Sequence, residues 1–134
     1  MELKHLSPAT LFDTTGFAFS QAVLQRGGAL LHIAGQTAWD TDRRLVGGND
    51  VAAQARQTLA NLKAALAAAG ATPANVVRLR TYVVKPDDQT LGKVLPEIEA
   101  FYGGAAPAPN TFLGILSLAM PDFLIEIEAT AAIG

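Results

Sequence analysis

Two pairs of charged residues are the best candidates for chemistry. Glu126 and Glu128 stand two positions apart in Ile125-Glu-Ile-Glu128, and Arg78 and Arg80 share that spacing in the run VVRLRTYVV, Val76 to Val84. A spacing of two on a β-strand puts both members of a pair on one face. Neighbouring carboxylates raise each other's pKa when partly buried, so one of them could hold and orient a water molecule. The four charges could equally pair across a sheet as an interface network with no catalytic part. Familiar catalytic strings are absent: there is no Walker loop, dinucleotide fingerprint, Gly-x-Ser-x-Gly or His-Glu-x-x-His. His5 lies near the N-terminus, and His32, inside an apolar run, reads as a hydrogen-bonded structural histidine rather than a base. Trp39, at a strand end, reads as a packing or subunit-contact residue.

The elements that must position these groups follow from periodicity and turn chemistry. Phe19 to Leu24 and Ala29 to Ala34 flank Gln25-Arg26-Gly27-Gly28, and the glycine pair predicts a β-hairpin. Asp40 to Gly48 predicts an exposed loop. From Asn49 to Gly70, Val51, Ala55, Leu59, Leu62 and Leu66 recur at helical spacing, with Asn49 or Asp50 as cap and Gly70 as terminator. Val76 to Val84 predicts a strand with Val77, Leu79, Thr81 and Val83 on one face and Arg78, Arg80 and Tyr82 on the other. A second helix follows Asp87-Asp88, with a stripe of Leu91, Val94, Leu95, Ile98, Phe101 and Tyr102 and a kink or restart at Pro96. Gly103 to Pro109 predicts a linker, Thr111 to Leu118 a strand, and Phe123 to Ile133 a last strand that carries both glutamates. This order implies an α+β layer fold, two helices on one face of a mixed sheet, whose other face is mixed enough to require self-association.

Composition narrows the function classes. The 134 residues suit one domain spanning 1–134, and with 50% hydrophobic and 16% charged residues the chain is globular rather than disordered. Ten basic against twelve acidic side chains, with no block of like charge, predict no nucleic-acid partner and no membrane partner. The polar N-terminus and the lack of a long apolar run predict a cytoplasmic protein. Without cysteine and with two histidines, disulfides and thiolate metal sites are excluded and neither a metal nor a cofactor is expected.

The segments Phe17-Ala-Phe-Ser-Gln-Ala-Val23, Ala34-Gly-Gln36, Leu45-Val-Gly-Gly48, Ala53-Gln-Ala-Arg-Gln-Thr-Leu59 with Asn61-Leu62, Tyr82-Val-Val84, Phe101-Tyr102 and Ile125-Glu-Ile-Glu-Ala129 together resemble the RidA (YjgF, L-PSP endoribonuclease) family across essentially the whole chain. The resemblance implies a chorismate-mutase-like α+β fold and a homotrimer with small-molecule clefts between subunits. It implies Glu126 as the catalytic residue that positions water, Glu128 as its structural companion, and Asn110, Phe19, Ser20, Gly35, Gln36, Phe112 and Leu95 as substrate-binding positions. In deaminating members an arginine in a Pro-x-Arg-Thr-like context grips the carboxylate of a 2-imino or enamino acid. In Ala108-Pro-Asn-Thr111 that place is taken by Asn110, while a frequent tyrosine is Phe19 and a frequent asparagine is Leu95.

A bidentate arginine–carboxylate contact in a partly dry site is worth on the order of 2 to 5 kcal/mol, and an asparagine supplies only neutral hydrogen bonds. Its loss cuts efficiency roughly 30-fold to several thousand-fold. Either the substrate carries no carboxylate there, or another cation such as Arg78 or Arg80 substitutes, or deamination has been abandoned. Two readings follow: an imine or enamine hydrolase with weakened activity on 2-imino acids, or a non-catalytic trimer that binds a metabolite or assists a pathway enzyme. Ribonuclease action is disfavoured, because the chain has no basic groove and no histidine pair suited to RNA cleavage.

Overall fold

The computed structural model describes residues 1–134. In chain order the elements are β1 (Glu2–Leu6), β2 (Ala22–Arg26), β3 (Ala29–Gln36), α1 (Val51–Ala68), a 3-10 turn at Pro73–Asn75, β4 (Val76–Val84), α2 (Thr90–Tyr102), β5 (Asn110–Ile115) and β6 (Ile125–Ile133). Four strands form one sheet in the order β3-β6-β4-β5, in which only β4 and β5 run parallel. The expected two helices and mixed sheet are therefore present.

Helix α1 starts where Asp50 Oδ1 accepts the amides of Ala52 and Ala53, and the chain leaves it through Gly70 at φ +71°. Its buried stripe of Ala55, Leu59, Leu62 and Leu66 packs in a core with Ile33, Leu79, Val83, Ile98, Phe101, Ile125 and Ile127. Each large aliphatic side chain buried there contributes about 1.5–3 kcal/mol. Gln54 is the polar exception in this layer. It is fully buried, donates to Gly48 O (2.7 Å) and Asp122 O (2.9 Å), and accepts from Leu124 N (2.9 Å), which fixes the chain just before β6.

Several expectations are corrected. The glycine pair does not close a hairpin: Gly27 and Gly28 have φ of +72° and +82°, but β2 pairs with β1 and β3 pairs with β6. The polar, alternating Glu2–Leu6 gave little sign of β1, which takes the place beside β2 that the hairpin reading gave to β3. In β4 the register slips by one between Val76 and Arg78, so Val76, not Val77, enters the core. Helix α2 runs without a restart through Pro96, and Leu91 of its expected stripe is exposed. Strand β5 ends at Ile115, short of Leu118, with Leu116 almost entirely in solvent. His32 points to the exposed face of β3, and no hydrogen bond holds it as a structural histidine.

Candidate functional site

The strand β6 alternates strictly, with Ile125, Ile127 and Ala129 buried and Glu126, Glu128 and Thr130 on the opposite face. Across the ladder, Tyr82 of β4 lies opposite Glu126 and Arg80 opposite Glu128. The two glutamates, chemically equal in the sequence, are thereby separated. Glu128 is claimed twice: its Oε1 accepts the Tyr82 hydroxyl and lies 3.6 Å from Arg80 Nη1. The neighbouring Tyr82 first, and then the Glu128 charge, raise the Arg80 pKa. Glu126 enters no salt bridge. Burial first, and then the charge of Glu128, raise its pKa above the usual carboxylate value.

What makes room for Glu126 is Gly35. The β3–β6 register is broken between Ile33 and Gln36, and Gly35 sits in that irregularity. A Cβ on Gly35 would lie 2.5 Å from Glu126 Oε1 and 2.9 Å from its Cδ, so the carboxylate rests on the bare glycine backbone. Gly35 and Gln36 continue into an open cleft of about 450 Å³ with Trp39, Asp40 and Asn61 on its walls. Asn61 holds this wall by donating to Thr37 O (2.9 Å) and Trp39 O (2.8 Å), and Trp39 packs edge-on against Phe123.

The remaining sequence-derived positions gather elsewhere. Ser20 is buried, donates its hydroxyl to Pro107 O (2.6 Å) and its amide to Ala108 O (3.3 Å), and so docks the segment 14–20 beside the start of β5. Phe19 and Ser20 line a cavity of about 390 Å³ together with Tyr102 and Pro107. The residue before Phe19, Ala18, is held at φ +56°, a conformation that costs a non-glycine residue energy and fixes the approach of the phenyl ring. Asn110 accepts from the buried Thr81 hydroxyl (3.1 Å), which leaves its Nδ2 free to donate. Phe112, on the same face of β5, packs half-buried against the core, and Leu95 is half-buried on α2. Asn110 and Glu126 therefore lie on opposite faces of one sheet within the chain.

Sequence reasoning passed over three supporting side chains. Tyr82 occupies Glu128, Thr81 orients Asn110, and the buried Tyr102 accepts the Ala108 amide (3.2 Å) and steadies the approach to β5. Burial pushes the Tyr102 pKa up, so the phenol stays neutral. Only Tyr82 carried a signal, as the third member of the alternating face with Arg78 and Arg80.

The profile of the family described as Endoribonuclease L-PSP matches residues 14–133. The chain belongs to that family. RutC family protein PH0854 of Pyrococcus horikoshii is 34% identical over 113 residues, covering 84% of this chain and 85% of its own. YyfB of Yersinia pestis, a structure from the conserved Rid protein family, is 53% identical with a TM-score of 0.96, covering 99% of this chain and 100% of that one. The E. coli YjgF gene product is 30% identical with a TM-score of 0.69, covering 86% of this chain and 87% of its own. These likenesses establish the RidA/YjgF membership and fold expected from the sequence. No helix is long and apolar enough to cross a membrane.

Proposed function

We propose that the protein is a RidA-family homotrimer that hydrolyses an imine, enamine or related unsaturated metabolite in clefts between subunits. Glu126 is the group that positions the attacking water. The observation that carries this reading is the asymmetry of the glutamate pair: Glu128 is bound by Tyr82 and Arg80, whereas Glu126 rests over Gly35 without a cation and with a raised pKa. A carboxylate in that state holds a proton less reluctantly than an exposed one, which suits it to take a proton from water as it adds to C=N and to return it to the departing nitrogen. The proton remaining on the new hydroxyl also passes to nitrogen as the C–N bond breaks, so the electron pair of that bond leaves with ammonia and the carbon becomes a carbonyl.

Asn110 supports a substrate less dependent on a carboxylate anchor than a 2-imino acid. Its amide donates neutral bonds, and its oxygen is already occupied by Thr81. Arg80 is paired with Glu128 at 3.6 Å, so it is no free replacement for the missing guanidinium. Because Asn110 and Glu126 face opposite ways, a site that uses both takes one from each of two subunits.

The test is ammonia release from imino acids generated in situ. Glu126→Gln is expected to abolish it, and Asn110→Arg to raise kcat/KM for carboxylate-bearing imines by roughly 30-fold or more. Identical rates with and without the wild-type protein, for neutral and acidic imines alike, would leave the non-catalytic binding trimer as the reading.

A further inference from the structure

Helix α1 anchors the Glu126 site from two sides. Gln54 and Asn61 stand seven residues apart, two turns and about 10.5 Å along one face of the helix. Gln54 fixes the chain at Asp122 and at Leu124, which lies two residues before Glu126. Asn61 does the same for the other strand: its Nδ2 donates to Thr37 O (2.9 Å) and Trp39 O (2.8 Å), and Thr37 lies two residues beyond Gly35. Both members of the Gly35–Glu126 contact are thus tied, at the same remove in sequence, to one rigid element.

The Asn61 anchor is itself held in place. One turn earlier on α1, Gln57 Nε2 donates to Asn61 Oδ1 (2.9 Å), which sets the amide plane and commits the two Nδ2 hydrogens to the two carbonyls. The carbonyl between them, Ala38 O, accepts the Val46 amide (2.8 Å), so three successive carbonyls after β3 are fixed. With no hydrogen left to donate, Asn61 offers a ligand little, although it stands on the wall of the cleft. What needs fixing is the segment before it. Ala34 and Gly35 have no ladder partner in β6, so the seat of the bare Gly35 backbone depends on the flanking pairings of Ile33 and Gln36 and, beyond them, on the Asn61 bonds. All these bonds are made within one chain and hold whatever covers the outer face of the sheet.

We infer that Asn61 is a positioning residue for the reaction at Glu126: by pinning the carbonyls of Thr37 and Trp39, it keeps the unpaired Gly35 segment seated against the Glu126 carboxylate. The inference rests on the reading of Glu126 as the group that positions water.

Asn61→Ala tests it, since alanine removes both donors, adds no charge and is a good helix former. Glu128 on β6 and Tyr82 and Arg80 on β4, the other polar groups around Glu126, stay in place. Release of the Gly35 segment admits water to the carboxylate. Its titration midpoint, followed by carboxyl-carbon NMR on the full-length protein, is therefore expected to fall towards 4.5, because burial is the first cause that holds it above that value. For imine hydrolysis kcat should drop about 10- to 100-fold with KM little changed, the pattern of a displaced catalytic group rather than of a lost substrate contact. Gln57→Ala spares both donors and frees only the amide plane, so it should move both readouts the same way by less. A thermal melt of each variant sets a temperature at which it is folded. An unmoved Glu126 midpoint in both variants would overturn the inference, as would a lowered midpoint with undiminished kcat. A wild-type protein inactive on every imine, with a midpoint that still falls in Asn61→Ala, would reject the hydrolase reading while supporting the seating of Glu126 by Asn61.

Discussion

The contact between Gly35 and Glu126 makes Gly35→Ala the most informative single substitution. Gly35 lacks a positive φ, so alanine meets no backbone penalty at this position. The loss of unfolded-chain freedom that accompanies Gly→Ala favours the folded state by about 0.4–1 kcal/mol. Against this, the new methyl would stand 2.5 Å from Oε1 and 3.0 Å from Cγ of Glu126, so the carboxylate must retreat by about 0.9 Å to regain the 3.4 Å of ordinary contact. The two effects nearly cancel in stability but not in function, since a displacement of about 1 Å at a positioned group costs roughly a hundredfold in rate. The expected result is a melting temperature close to wild type, with kcat/KM for imine hydrolysis reduced about a hundredfold. Carboxyl-carbon NMR should show the Glu126 titration midpoint moving down as the group is pushed towards solvent. Undiminished activity together with an unmoved Glu126 titration would refute the placement of the carboxylate over Gly35.

Two further outcomes concern stability. The folded pKa of Glu126 is raised above its ordinary value of 4.5, so ionisation of this group opposes folding at neutral pH and the cost disappears as pH falls below that value. Glu126→Gln should therefore melt higher than wild type at pH 7, and calorimetry at stepwise lower pH should show the advantage shrinking away near pH 4. Gln54→Met keeps the volume but strips the partners from Gly48 O, Asp122 O and Leu124 N, which should lower the unfolding free energy by about 3 kcal/mol in a urea titration.

How much of this was legible in the sequence depended on whether the cause was local. Helix α1, strand β6 and strand β4 from Leu79 onward were readable because cap, periodicity and burial agree within each segment: Asp50 caps, Leu59, Leu62 and Leu66 repeat, and Ile125 and Ile127 alternate with the glutamates. The hairpin failed because positive φ at Gly27 and Gly28 permits a reversal without requiring one, and strand partners are settled by distant residues. Spacing brought Glu126 and Glu128 to notice and could go no further, since two carboxylates on one face are equivalent until Tyr82, Arg80 and Gly35 are placed around them. The opposed faces of Asn110 and Glu126 were equally hidden, because a residue's face follows from the parallel pairing of Leu79 with Asn110 and the antiparallel pairing of Tyr82 with Glu126.

That opposition leads to a prediction that separates a site within one chain from a site between chains. Asn110→Leu removes the amide that accepts from Thr81 but leaves Glu126 over Gly35, whereas Glu126→Gln keeps the amide and removes the carboxylate. Each variant alone should be strongly impaired in imine hydrolysis. When the two are denatured together in equal amounts and refolded, a between-chain site needs an intact Asn110 from one subunit and an intact Glu126 from its neighbour. Random assembly meets that condition in about one quarter of the sites, so the mixture should recover about a quarter of wild-type activity. A site confined to one chain allows no such recovery, since every subunit carries one defect. Activity of the refolded mixture no greater than the mean of the two separately refolded variants, with wild-type protein refolding to full activity beside it, would therefore reject the shared cleft and with it the pairing of Asn110 and Glu126 in one reaction.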